Sequence, residues 1–153
     1  MPVADGAELE DASRRGIIQQ IRDVCEEYEE FESCHTVATI PQKKLRNARE
    51  AFGIAKDAKI IMVYDGTVFG SNKLGFAICE GGIYWKNDWT TSTKRTFLTW
   101  EEFREREIRP NVEGFYIGLG RGDNIAILLD EQVLPLGELL KKVRAILRGE
   151  GDE

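Results

Sequence analysis

The feature that most narrows what this chain can become is a change of rhythm at Lys59. From there the sequence breaks into short apolar or alternating runs punctuated by glycine: Lys59–Tyr64, Phe76–Glu80, Ile83–Asn87, Arg95–Trp100, Phe115–Leu119 and Ile125–Leu129. Runs of this length and pattern predict six strands. Gly81-Gly82 separates the second from the third, and Gly120-Arg121-Gly122-Asp123-Asn124 the fifth from the sixth. Linkers this tight join antiparallel neighbours, because a parallel pair needs a long crossover. Trp100–Arg106 leaves room for a helical turn, and Ile108–Val112 for one more short strand.

Helical spacing governs the two ends. Downstream, Leu136, Leu139, Leu140, Val143 and Ile146 recur on one face, opposite Glu138, Lys142, Arg144 and Arg148, and Gly149 ends the helix. Upstream, Ser13 reads as an N-cap for a helix whose narrow stripe is Ile17, Ile21, Val24, Tyr28 and Phe31, with Glu26, Glu27, Glu29, Glu30 and Glu32 on the solvated face. Thr36–Ile40 is β-branched enough for a strand that Pro41 terminates. Gln42–Phe52 follows as a short helix, with Leu45, Ala48 and Phe52 on one face and Gly53 as its C-cap. Residues 1–12 and 150–153 are expected to fray.

With 153 residues the chain is long enough for one domain with its own core, and it needs no disulfide or metal to fold. Cys25, Cys34 and Cys79 are an odd number without regular spacing, which predicts reduced thiols and a cytoplasmic protein. A net charge of −6 repels phosphate backbones and anionic lipids on average, and Lys94-Arg95, Lys43-Lys44-Arg46 and Lys141-Lys142-Arg144-Arg148 are too sparse to form a basic field. Nucleic acid is therefore not an expected partner. No stretch approaches the roughly 20 apolar residues of a transmembrane segment.

No motif in the chain assembles a catalytic site. Val63-Tyr64-Asp65-Gly66-Thr67-Val68 follows an apolar strand and resembles the haloacid-dehalogenase phosphatase signature, in which a nucleophilic carboxylate stands two residues before the acid/base carboxylate. That position is Val63, so Asp65 matches only the helper, and Asp-Gly reads as a turn. A hydrolase built on Asp65 would need a second carboxylate from elsewhere. Gly118, Gly120 and Gly122 lie between strands and not before a helix, so they form a hairpin and not a phosphate loop. Cys34-His35 are neighbours in an extended segment and point to opposite faces, and no close cysteine pair supports zinc. No metal and no cofactor is expected. The aromatic centre, Tyr84, Trp85, Trp89, Phe97, Trp100 and Phe103, belongs to the core, except that alternation sends Ile83 and Trp85 to one face and Tyr84 and Lys86 to the other. Tyr84 is thus a candidate contact residue.

Six or seven short antiparallel strands followed by one amphipathic helix resembles the pleckstrin-homology superfold. Tyr64–Phe76, then Gly82-Ile83-Tyr84-Trp85-Lys86-Asn87 and Leu98-Thr99-Trp100, is similar to bacterial PH-like domains of uncharacterised function. The resemblance spans residues 59–148. It implies an α+β fold, a small antiparallel barrel or two orthogonal sheets capped by the C-terminal helix. We accordingly divide the chain into an N-terminal helical extension, 1–53, packed on the domain, and a PH-like β domain, 54–148. The superfold hosts protein, peptide and lipid binders. The leading expectation is a non-catalytic module that binds a protein or peptide or self-associates, with Ile17, Ile21, Val24, Tyr28, Phe31 and Tyr84 as candidate contacts. The alternative is a weak anionic-ligand or lipid-headgroup binder using Lys73, Lys86, Lys94 and Arg95.

Overall fold

The computed structural model describes residues 6–29, 31, 33–88 and 94–150. Helix α1 spans Gly6–Glu27 and strand β1 spans Cys34–Thr36; α2, Gln42–Phe52, leads into β2, Ile60–Asp65. Then come β3, Gly75–Cys79; β4, Gly82–Lys86; β5, Phe97–Thr99; α3, Trp100–Arg104; β6, Arg109–Asn111; β7, Tyr116–Gly118; β8, Asn124–Ala126; and α4, Asp130–Leu147. The result is α+β, with two antiparallel sheets, five strands in the order β1-β2-β3-β4-β5 and three in the order β6-β7-β8. The sheets do not close into a barrel among the described residues. Helix α3 and the turn after it stand between β5 and β6 in sequence, and the sheets meet instead through Asn87, which donates from Nδ2 to Asn124 O (2.8 Å) and accepts from Ala126 N (2.8 Å).

The larger sheet is covered on both faces, which explains why β2 and β3 are buried at every position. One face carries Met62, Tyr64, Phe76, Ile78, Ile83, Trp85 and Leu98 into a core shared with α1, α4 and the smaller sheet. The other carries Ile60, Val63, Ala77 and Cys79 against Ala48 and Phe52 of α2. A bulge between Ile60 and Met62 breaks the alternation and lets Ile61 join Met62 in the first core. Helix α4 buries Leu136, Leu139, Leu140, Val143 and Ile146. It crosses β6 at Gly137, where a Cβ would lie 2.4 Å from Pro110 Cγ, so only glycine allows this approach.

Several local expectations change. Helix α1 begins at Gly6, seven residues before Ser13, because Ala7–Leu9 and Glu10 are good helix formers and Ser13 is tolerated inside the helix. β1 ends at Thr36, and the chain then turns, with Thr39 N and Ile40 N both donating to Thr36 O. Glu29 fixes that turn by accepting from Thr36 N (3.0 Å), Thr36 Oγ1 and Thr39 Oγ1 (2.6 Å). Burial works against the Glu29 charge, yet these donors, with His35 nearby, hold its carboxyl below the usual range. Trp89, Glu30, Glu32 and residues 151–153 lie outside the described residues.

Candidate functional site

Strand β2 ends on Asp65, which is 3% exposed. Its Oδ1 accepts from Thr67 N (2.9 Å) and Thr67 Oγ1 (2.5 Å), while Oδ2 meets Lys44 Nζ at 3.1 Å. The Thr67 hydroxyl in turn accepts from Ser71 N (2.9 Å) and Asn72 N (3.3 Å). Asn72, fully buried, donates to Tyr64 O (3.2 Å), and Asn47 of α2 donates to Ser71 O (2.8 Å). Gly66 N closes the base on Leu74 O at 2.9 Å. Every polar anchor of the loop thus points inward, and the two apolar residues are left at its tip: Val68 is 74% and Phe69 98% exposed. The Asp-Gly-Thr segment works as a turn scaffold for this finger.

Beside the finger, the same end of the larger sheet opens into a cleft of about 260 Å³, lined by Leu74, Phe115, Ile127 and Leu128 together with Lys86 and Asp88. The four cations singled out in the sequence all lie at this end, but in different circumstances. Lys73 is exposed on the finger, Lys86 pairs in register with Gly75 and reaches the cleft, and Lys94 is exposed before β5. Arg95 is committed: Nη2 holds both carboxylate oxygens of Glu102 at 2.9 Å and donates to Phe97 O at 3.2 Å. Glu102 also accepts from Thr99 N in the capping box of α3, and that bond and then Arg95 lower its carboxyl from the ordinary value.

The N-terminal stripe docks within the chain. Ile21 and Tyr28 are buried in the main core, and Ile17 and Val24 pack against it. Phe31 remains 42% exposed and meets the Tyr28 ring edge-on at 5.6 Å. Between α1 and α4 these two rings, Leu134 and Pro135 line a second cleft of about 430 Å³, with Glu27, Glu138 and Lys142 around it. Lys142 is held there, its Nζ 5.3 Å from the Tyr28 ring centroid and 3.7 Å from Glu27. Tyr84 is half-buried, its ring 4.4 Å from that of Phe97 and packed on the α2 side of the sheet.

Burial pushes the thiols of Cys25 and Cys79 up to about 12, and Cys34 is buried as well. Among the described residues no three His, Cys, Asp or Glu side chains cluster as metal ligands, and no helix is long and apolar enough to cross a membrane. Sequence reasoning passed over Val68 and Phe69. Their signal was an apolar pair between Asp-Gly-Thr and Gly-Ser-Asn, where turn residues on both sides exclude a strand. Comparison with protein-family models, with curated proteins and with solved structures finds no match to this chain.

Proposed function

We propose that this chain is a non-catalytic interaction module that binds a protein or peptide through the finger between β2 and β3. The observation that carries the reading is Phe69, 98% exposed at the tip of a loop whose base is anchored by the Asp65–Thr67 bonds and by Asn72 Nδ2 on Tyr64 O. A large aromatic held rigidly in water is the form of an interface anchor, because the ordering cost of the loop is met before the partner arrives. Four strands from β2 to β5, three more from β6 to β8 and then α4 follow the order of a PH-like domain, and we read the fold that way, with α1, β1 and α2 as additions. Three buried cysteines, none of them in a disulfide, support a cytoplasmic location.

Lys86 at the small cleft favours a second reading, an anionic ligand or lipid headgroup held with Lys73 and Lys94. It is the weaker one, since Arg95 is engaged by Glu102 and Asp88 shares the cleft. A hydrolytic role for Asp65 fares less well still, with that carboxylate buried and occupied by Thr67 and Lys44. A photo-reactive benzoylphenylalanine placed at position 69 tests the leading reading, with Lys56, exposed on the connection at the opposite end of the sheet, as the control site. A discrete protein adduct at 69 that is absent at 56 is expected. Equal labelling at both sites, or titratable binding of acidic vesicles without any protein adduct, would refute it.

A further inference from the structure

We infer that the partner is a second copy of this chain, with Val68 and Phe69 of one molecule seated in the cleft between α1 and α4 of another. The inference rests on the reading of the finger as a protein-binding anchor and adds its occupant. The three most exposed large apolar side chains described are Phe69 at 98%, Val68 at 74% and Leu134 at 61%; two form the finger and the third walls the cleft. Phe31, 42% exposed, forms another wall of the same cleft. Each feature leaves apolar surface in water in a single molecule, and each supplies what the other lacks.

Shape and charge agree. The cleft, about 430 Å³, is roomy enough for an aromatic side chain and presents the rings of Tyr28 and Phe31, against which a phenylalanine can pack edge-to-face. Its surround carries a small acidic excess: Glu27 and Lys142 offset each other, Lys142 also lying over the Tyr28 ring, and Glu138 remains. The finger approaches with an exposed cation, Lys73, on the loop itself, while Lys86 on the adjoining strand shares its cleft with Asp88. Two fingers facing each other would instead bring like charges together, and that disfavours a contact of finger on finger. Reciprocal seating closes a dimer and one-way seating extends a chain; both are the same contact.

Complementation between two variants of the full chain tests this. Phe69→Ser lacks the finger tip and keeps the cleft, whereas Leu134→Asp keeps the finger and spoils the cleft. Both positions are exposed, so unchanged thermal unfolding will certify the fold. Sedimentation velocity between about 1 µM and 1 mM, the range of modest affinities, should show self-association of the unmodified chain that weakens as salt is raised. Each variant alone should associate at least about thirtyfold more weakly, as expected for loss of an anchor, and an equimolar mixture should regain a heterodimer. A monomeric unmodified chain at about 1 mM overturns the proposal, as does association that survives both substitutions or a mixture that does not recover. The broader reading fails separately, if position 69 also captures no protein on photo-crosslinking.

Discussion

Replacing Leu140 by alanine should be among the most damaging single changes in the chain. Leu140 is fully buried on α4, in the core that α4 shares with α1 and the sheets. Removing three methylene-sized groups forfeits about 2.4 kcal/mol of transfer free energy at about 0.8 kcal/mol each. The hole adds to this, because neighbours on α1 and the sheet are fixed by their own packing, so the total should reach about 3–4 kcal/mol. With a urea slope of about 2 kcal/mol/M for a domain of this size, the midpoint should fall by roughly 1.5–2 M at unchanged slope. Leu134→Ala, on the same helix but 61% exposed, is the internal control and should move stability by less than about 0.5 kcal/mol. Equal midpoints for the two variants would refute the placement of α4 as the structural centre of the domain.

Other outcomes follow from the polar anchors. Asp123→Ala should cost about 3–5 kcal/mol by urea unfolding, because it removes the carboxylate that balances Arg106, 5% exposed and paired with Asp123 at 2.7 Å, and leaves that buried charge only the carbonyls of Leu119 and Gly120. Glu29 has a carboxyl lowered in the folded state, so its contribution is present above the unfolded value of about 4.3 and is lost as the pH falls through the lower folded value. The stability gap between the unmodified chain and Glu29→Gln should therefore be level near neutrality and close on acidification below about pH 4. With Cys25 and Cys79 pushed to about 12, maleimide labelling of these two thiols in the native protein at about pH 8 should be on the order of a thousandfold slower than in the urea-unfolded chain.

What could be read from the sequence was whatever local physics decides. The β runs, the span of α2 with Gly53 as its C-cap at φ 69°, and the stripe of α4 all depend on spacing within a few residues. The finger does not. Its shape depends on Lys44 and Asn47 reaching from α2 to Asp65 and Ser71, more than 20 residues away, and no pattern in 66–74 announces them. The ion pair of Arg106 with Asp123 is equally silent in sequence, since charged residues are mostly at the surface and nothing nearby marks these two as an exception. Arg95 shows the converse. Beside Lys94 it looked like part of an anion site, but the capping box of α3 places Glu102 within its reach and takes it out of service.

The turn that mimics a phosphatase signature therefore gains a different significance. A hairpin loop with valine and phenylalanine at its tip would by default fold those residues back onto the protein, since burying them stabilises by about 1.5–3 kcal/mol each. Holding them out requires interactions that collapse would break. Asp65, Thr67 and Asn72 provide these by satisfying one another and the backbone of residues 64, 67, 71 and 72 at the loop base. Buried amides without partners are expensive, so a collapse that rearranged the loop base to bring the tip inward would strand some of them. The same aspartate that lacks a nucleophile two residues upstream is thus well suited to positioning an exposed aromatic residue four residues downstream. A carboxylate that accepts two bonds from Thr67 and faces Lys44 is spent on geometry, and the geometry delivers Phe69 to solvent.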